Sequence, residues 1–521
     1  MTTPSEIGSN PKKPSSWIKR LSLTVAVLGS LIALFYAEEN FRHMRAWRSY
    51  KASLNLKPGE LDWRSYLPKA VPDEQNFAKT PLLERAGYRG SSGRAFTADL
   101  KNFKPGAYTG DFQSYRPANL AGFLDELNRR HSPNAVPEDP AATNKVARQV
   151  IEAYKIIEPE LTELREASLR PYAQFDAKGD DPWSLTIPNF VLTRSISQMM
   201  AVRASAFLIL GQTDDASKDI HVIHRLADAM QSHHTLVSAM IRVAIEGLAI
   251  QPFWEGWYSH KWSQDQLASF QARFEQTDLL SGVSTSLLGG ERAGVHHVIE
   301  AYSPKKLASI FNSETLLLAG RHKDWNWADL WKEFKQMMEF YRNQATVYAV
   351  PQSWRYRNLL VYDRLMLAYL SALDPGQQRV YAEKTRAANA QGEQISRQGG
   401  RFNWLAAMAV PNMLKATSTM ARNQTLLNFA ALACALDRYQ HDHAEYPEKL
   451  ESLVPAYMAR LPHDLVSGGP LKYSRAKNGC FFLYSPGWDG RDDGGAQGTT
   501  ATEGDWSWPG GAEPASIATT R

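Results

Sequence analysis

The chain has 521 residues, of which 43% are hydrophobic, so it is long enough to bury a substantial core, and disorder throughout is excluded. Its 59 Lys and Arg residues against 54 Asp and Glu residues give a net charge of only +5. Without a clustered basic stripe, that charge does not indicate nucleic-acid binding. The two cysteines, Cys434 and Cys480, permit one disulfide at most and exclude a disulfide framework.

The N-terminal region predicts a membrane anchor. Residues 1–20 form a tail rich in Pro, Ser and Lys, and residues 21–37 carry no charged side chain. As a helix, this apolar stretch would extend about 26 Å, close to the lower limit for a bilayer core of about 30 Å. A cleaved signal peptide is the main alternative, and a buried helix is the other. Cleavage after Ala37 is disfavoured because Phe35 stands where a small residue is required.

The orientation of the anchor does not follow from counting charges. Four basic residues precede the span and four follow it: Lys12, Lys13, Lys19 and Arg20, then Arg42, Arg45, Arg48 and Lys51. A short tail whose charges adjoin the span is typical of a signal anchor with a long translocated part. We therefore expect a single-pass inner-membrane protein with a cytoplasmic N-terminus and a periplasmic or otherwise extracytoplasmic body.

Residues 38–140 predict a membrane-proximal helix followed by an irregular segment. The helical spacing of apolar residues covers residues 39–56, and Pro58-Gly59 ends it. The remainder, with frequent Pro and Gly, is typical of a segment that wraps a neighbouring core.

Residues 141–420 predict a mainly α domain built of helical hairpins. Apolar residues recur every three or four positions and so form one face of an amphipathic helix: Ala216, Ile220, Ile223, Ala227 and Met230. Gly211 is expected to end the helix before it, and Thr213 to cap the next. Further helices are expected at residues 143–167, 196–210, 235–257, 263–276, 326–348, 355–372 and 376–397.

Two segments in this part of the chain resemble an uncharacterised family of single-pass bacterial envelope proteins. They are VPDEQNFAKTPLL at residues 71–83 and IRVAIEGLAIQPFWEGW at residues 241–257. The resemblance covers residues 60–400 and implies a place in the cell envelope. It implies no activity.

Residues 421–495 predict a separate α+β module. A helix is expected at residues 423–443, ended by Pro447. Two aromatic-rich runs, Leu471 to Ser474 and Cys480 to Tyr484, flank a turn and predict a β-hairpin. A helix packed on a small antiparallel sheet is therefore expected, with residues 496–521 as a disordered tail.

The module resembles the globular domain of the major pseudopilin of type II secretion. The helix ends in ALDRYQHDHAEYP at residues 435–447, and Leu461, Pro462, Asp464 and a YSPGWDGRDDGG ending come after it in the same order. About 75 residues are covered. The resemblance implies a role in secretion or surface assembly. Polymerisation is not expected, because the helix lies far from the anchor and the anchor lacks a prepilin-peptidase motif.

Two sites are suggested in this module. Asp489, Asp492 and Asp493 lie in a Gly-rich loop and offer the hard oxygen ligands that Ca²⁺ requires. The pseudopilin resemblance implies a calcium site there, and the alternative is a solvated acidic turn. Cys434 and Cys480 either form a disulfide in an oxidising compartment or remain two separate thiols.

The sequence assigns no catalytic or cofactor-binding residue. It has no nucleophile-elbow, phosphate-loop, dinucleotide or CxxC motif. Our leading interpretation is therefore a non-catalytic, membrane-anchored envelope protein that presents helical and pseudopilin-like surfaces to protein partners, with no indication of its oligomeric state. One alternative is an envelope hydrolase using Asp180, Asp181 and Glu291. Another is a cell-wall polysaccharide-binding protein.

Overall fold

The computed structural model describes residues 16–86, 110–129, 141–182, 184–186, 188–303, 306, 353–398, 413–476, 479–498, 500 and 502–509. The chain divides into two compact units. The anchor unit comprises Met1–Asn55, Ile299–Tyr362 and Gly399–Ala407. The body unit comprises Leu56–Val298, Asp363–Gln398 and Met408–Arg521.

The fold is mainly helical, with one small antiparallel sheet near the C-terminus. In chain order the α-helices are α1 Ser16–Ser53, α2 Pro81–Ala86, α3 Leu120–Arg129, α4 Ala141–Tyr154, α5 Glu158–Ala167, α6 Phe190–Ile209, α7 Thr213–Met230, α8 Leu236–Tyr258, α9 Gln264–Gln276, α10 Leu279–Ser286, α11 Gly294–Ala301, α12 Trp354–Leu370, α13 Ala382–Gln398 and α14 Met413–His443. The strands are β1 Leu373–Asp374, β2 Arg379–Val380, β3 Lys472–Arg475, β4 Phe481–Ser485 and β5 Trp506–Trp508.

In the anchor unit, α1 combines an exposed apolar half with a packed polar half. The region Lys19–Ser53 contains an 18-residue window of mean hydropathy 1.8 that is entirely exposed, so this helix is long and apolar enough to be a membrane anchor or a signal sequence. Beyond it, Glu39 and Trp47 are buried. Trp47 Nε1 donates to Glu300 Oε1 at 2.9 Å. The predicted helical continuation after the apolar stretch is confirmed.

Proline and glycine explain where two predicted helices differ from the structure. The helix expected at residues 143–167 is broken by a 3₁₀ turn at Lys155–Ile157, because Pro159 lies in the first turn of α5, where a missing N–H is tolerated. The helix expected at residues 376–397 begins only at Ala382, since Pro375 and Gly376 instead turn a short hairpin between β1 and β2. The helix expected at residues 326–348 lies outside the described residues.

The body unit is built around α6, α7 and α8, which pack against one another. Gly211 ends α6 with a φ of +74°, a conformation that glycine adopts without strain. Thr213 is the first residue of α7 rather than its cap. The predicted apolar face of α7 is confirmed, since all five of its residues are fully buried: Ala216, Ile220, Ile223, Ala227 and Met230.

A segment before the first body helices packs on this core, as expected for a wrapping segment. Phe77 is fully buried. Its backbone N–H donates to the carbonyl of Tyr172 at 2.8 Å. The structure also places two helices, α2 and α3, in the part of this segment that was expected to be irregular.

The C-terminal sheet has the order β3, β4, β5, with both pairs antiparallel. The predicted hairpin corresponds to β3 and β4. The third strand corrects the expectation of a disordered tail from residue 496, because Trp506 and Trp508 are buried on pairing with β4. Another difference is that α14 runs unbroken through the expected boundary at residue 421, and both sides of that boundary belong to the body unit.

The inward face of β4 is carried by Phe481. Its side chain is fully buried, and its ring lies 5.0 Å from that of Tyr446 and 5.8 Å from that of Trp257. Phe482 points to the opposite face and is half-buried beside Tyr484. Because strand side chains alternate, the sheet is joined to the helices through Phe481 rather than through its neighbour.

The alternation in β4 gives a matched pair of substitutions. Phe481→Ala should lower the free energy of unfolding by about 3–5 kcal/mol, because it leaves a cavity among buried rings. Phe482→Ala should cost clearly less, since its ring is already partly exposed. Thermal unfolding of the two purified full-length variants compares them, and equal losses would contradict this assignment of the faces.

Candidate functional site

The acidic loop predicted to bind calcium is organised by a fourth carboxylate. Asp505 accepts backbone N–H groups from Gly495 at 2.6 Å and from Asp493 at 3.1 Å. Asp492 accepts from Tyr484 Oη at 3.0 Å and forms an ion pair with Lys472 at 3.2 Å. Asp489 caps its own turn. Within the described residues, no three His, Cys, Asp or Glu side chains converge as metal ligands.

The two cysteines are not joined by a disulfide in the structure. Cys434 is fully buried in α14, and burial raises the pKa of its thiol well above the ordinary value. Cys480 is partly exposed just before β4.

The carboxylates considered for a hydrolase serve local structure. Asp180 is exposed, and Asp181 accepts the backbone N–H of Ser184 at 3.1 Å in a turn. Glu291 accepts the backbone N–H of Leu236 at 3.0 Å, and burial raises its pKa. None of the three lines the two cavities that we describe in the body unit.

A buried charge network joins α7, α8 and α9. Glu246 of α8 is hydrogen-bonded to Nδ1 of His224 at 2.6 Å and receives Arg273 Nη2 at 2.7 Å. Burial alone would raise the pKa of Glu246, but Arg273 and His224 outweigh it and lower the pKa to about 2. Arg273 also pairs with Asp228 at 2.9 Å. The network therefore ties three helices together, and removing one partner would leave a buried charge unpaired.

A second network ties α5 and α6 to α7. Asp219 receives Arg203 Nε at 2.7 Å and Arg165 Nε at 2.7 Å, and Arg203 Nη1 reaches Glu158 at 2.6 Å. Arg203 and Asp219 are fully buried. Each of these contacts is a charge-assisted hydrogen bond between an arginine and a carboxylate, so this network also belongs to the packing of the core.

Two cavities in the body unit differ in size and lining. The first holds about 10 Å³ beside His233 and Arg242, space for about one water molecule. The second is an open cleft of about 380 Å³, within the 300–1,000 Å³ range of small-molecule sites. We call it the α8/α14 cleft, and its lining residues are Trp257, His260, Trp262, Gln264, Leu267, Asp437, Gln440, His441 and Ala444.

The α8/α14 cleft forms where two helices end side by side. His260 lies just after the end of α8 with a φ of +48°, and Ala444 lies just after the end of α14 with a φ of +63°. Their N–H groups donate back to Trp257 and Gln440 respectively, which terminates each helix. The ring of Trp262 then lies directly on Gly256 of α8, where a Cβ atom would overlap it.

Asp437 is the charged group in the wall of the cleft. Burial raises its pKa to about 6, although Tyr446, His260 and Trp257 each act to lower it. Tyr446 Oη donates to Asp437 Oδ1 at 2.8 Å. The indole N–H of Trp257 is buried and is directed at the same carboxylate. The cleft therefore holds a carboxyl group that changes charge close to neutral pH.

Comparisons of the chain with protein-family models, with curated proteins and with solved structures give no match. The resemblances seen in the sequence stay predictions. For residues 421–495, the structure itself gives the end of α14 and then an antiparallel sheet, the order of elements expected from the sequence.

Sequence reasoning did not single out Asp437. The residue lies inside the ALDRYQHDHAEYP stretch, which was interpreted only as part of a resemblance. A usable signal was nevertheless present, because Asp437 lies one helical turn after Ala433 and Cys434 on a face that is otherwise apolar. An acidic residue on a buried face requires a partner or a function.

The raised pKa of Asp437 predicts a pH-dependent stability. Between the ordinary value of 3.8 and about 6, the folded protein binds more protons than the unfolded chain. The free energy of unfolding should therefore fall as pH rises through this window, by at most about 3 kcal/mol. Asp437→Asn removes the charge, so its melting temperature should lack this component of the fall.

The matched control is Asp442→Asn, an exposed carboxylate on the last turn of the same helix. The measurement is the melting temperature of the full-length wild type, Asp437→Asn and Asp442→Asn between about pH 4 and pH 7. The wild type and Asp442→Asn should show the fall, and Asp437→Asn should lack it. Parallel curves for the wild type and Asp437→Asn would contradict a raised pKa at this position.

Proposed function

We propose that the protein is a non-catalytic, single-pass membrane protein of the bacterial cell envelope, whose body presents binding surfaces to envelope partners. The observation that carries the proposal is the exposed apolar half of α1. Ten of its large apolar side chains are at least half exposed: Trp17, Leu21, Leu23, Val25, Val27, Leu28, Leu31, Ile32, Leu34 and Phe35. Such a surface favours lipid over water by about 25 cal/mol per Å².

A retained anchor is favoured over a cleaved signal by the contacts of the residues after Ala37. The same helix continues from Ala37 into its packed half, where Trp354 Nε1 donates to Glu39 Oε2 at 2.8 Å and Ser353 Oγ donates to the carbonyl of Glu39 at 3.0 Å. Cleavage after Ala37 would create a charged N-terminus at Glu38, the residue directly before this buried carboxylate. Cleavage would thus disturb a folded part of the anchor unit.

The orientation and the use of the body belong to the proposal as well. We place the N-terminus in the cytoplasm and the body on the periplasmic side of the inner membrane, on the layout of charges around the span. The arrangement of residues 141–420 as helical hairpins is proposed from their short connections, such as the three residues between α6 and α7. A pseudopilin-like surface at the C-terminal sheet supports partners from secretion or surface assembly.

One substitution distinguishes an anchor from a signal peptide. Phe35→Ala creates the Ala-Tyr-Ala sequence that signal peptidase requires, so a fraction of this variant should appear as a soluble body beginning at Glu38. The wild type should stay in the membrane after carbonate washing. Leu34→Ala is the matched control, since it shortens an adjacent apolar side chain without creating the motif.

Protease added to spheroplasts of the same cells tests the orientation of the protein in the membrane. Degradation of the wild-type body is expected, together with protection of the N-terminal tail. A wild-type product that is mainly soluble and begins near Glu38 would remove the anchor, and a protected body would reverse the orientation.

Calcium at Asp489, Asp492 and Asp493 is proposed from the resemblance and from the electrostatics of the loop. Burial, with a smaller contribution from Asp492 and Asp493, raises the pKa of Asp505, and a cation would relieve that repulsion. Binding at about 100 times the dissociation constant would add about 2.7 kcal/mol to stability. We expect Ca²⁺ to raise the melting temperature of the full chain and Asp492→Asn to abolish the rise. An equal melting temperature in Ca²⁺ and chelator would remove the proposal.

A further inference from the structure

A buried arginine lines the smaller of the two cavities in the body unit. Arg242 of α8 is only 5% exposed, and its side chain forms part of the cavity wall. Among the described residues its guanidinium group makes one hydrogen bond, from Nη1 to the carbonyl of Asp278 at 2.8 Å, and its Nε is buried without a partner. An arginine has five N–H donors. Most of the donors of this group are therefore not used by the described part of the protein.

No ion pair within the described residues joins Arg242 to a carboxylate. Three carboxylates attract it from a distance: Glu246, Asp228 and Asp278. The first two are paired with Arg273 at 2.7 and 2.9 Å, and the third accepts the hydroxyl of Ser281 at 2.5 Å. Burial lowers the pKa of Arg242 in spite of these carboxylates. The guanidinium group therefore lacks a negative charge in contact with it, which is costly for a buried cation.

The lining of the cavity contains no Asp or Glu residue and little polar surface besides Arg242. Gln231 is exposed and marks the side that opens to solvent. Both ring nitrogens of His233 are engaged, Nε2 with the carbonyl of Thr186 at 2.9 Å and Nδ1 with Ser232 Oγ at 3.2 Å. The other lining residues are mainly apolar: Met230, Ala239, Leu279, Gly282, Val283 and Ser286. Such a lining has a low dielectric constant, which strengthens the attraction between Arg242 and an anion.

We propose that this cavity binds a chloride ion, held by the guanidinium group of Arg242 and by the side-chain amide of Gln231. The charge of Arg242 selects an anion. The volume of about 10 Å³ is too small for a phosphate, a sulfate or a carboxylate group, whereas chloride is a single atom only slightly larger than the water molecule that such a space holds. The bound ion links the end of α7 to α8 and α10, which supply the walls of the cavity.

The test is the melting temperature of the purified full chain in lipid nanodiscs as sodium chloride replaces sodium gluconate at constant ionic strength. Gluconate is too large for the cavity, so chloride alone should bind the folded protein and stabilise it. A saturable rise of about 2 °C or more is expected. Broadening of the chlorine NMR line, measured on the same samples, reports binding of the ion directly.

Two variants remove the site in different ways. Arg242→Met removes the charge and keeps an unbranched side chain, a replacement that a buried charge often tolerates. Ala239→Leu keeps the charge and fills the cavity. Both should lose the chloride-dependent rise and the line broadening. The matched control is Arg194→Met, which removes the same charge from an exposed residue of α6 outside the cavity and should respond like the wild type.

Circular dichroism establishes which variants are folded, and Ala239→Leu decides the matter if Arg242→Met does not fold. The proposal is overturned if chloride and gluconate give the wild type equal melting temperatures without line broadening, which would leave a water molecule as the occupant. It is also overturned if the rise persists in a folded cavity variant, because the effect of chloride would then arise elsewhere on the protein.

Discussion

The body unit depends on covering α8 from every side. This helix, Leu236–Tyr258, is as apolar as a membrane span, yet 67% of its most apolar window is buried inside the protein. A helix without a polar face is stable in water only when neighbours surround it. Here α6, α7, α10 and α14 pack on it, and Phe112 and Trp508 cover the ring of Trp254 and the end of the helix. The segments that cover α8 therefore come from both the N-terminal and the C-terminal parts of the body unit.

Charges placed inside this apolar packing decide its register. An unpaired buried charge costs several kcal/mol, in addition to the cost of misfitted apolar packing. Glu246 therefore permits only the arrangement in which His224 and Arg273 reach it. Asp219 imposes the same condition on α6 through Arg203. The two networks share α7, so one helix sets the position of four others.

The sequence predicted the features that local periodicity and turn chemistry control. The face of α7 and the stop at Gly211 came from spacing and from glycine, and both are confirmed. The third strand could not be predicted, because Trp506–Trp508 is a three-residue run in a tail rich in Gly and Thr, and only pairing with β4 gives it structure. The candidate site was also out of reach. Its groups lie about 180 residues apart in sequence, in Trp257 and Asp437, and no local pattern joins them.

The end of α14 shows how a motif used for structure can also form a site. Tyr446 closes the helix end by reaching back to Asp437, and it packs on Phe481 of the sheet. These contacts hold the carboxyl group at the boundary between helix and cleft, where burial keeps its pKa near 6. Glycine would end both helices without strain, yet His260 and Ala444 occupy the left-handed positions at a cost of about 1–2 kcal/mol each. At His260, the strained residue places an imidazole at the rim of the cleft. Ending the helix does not by itself require an imidazole there.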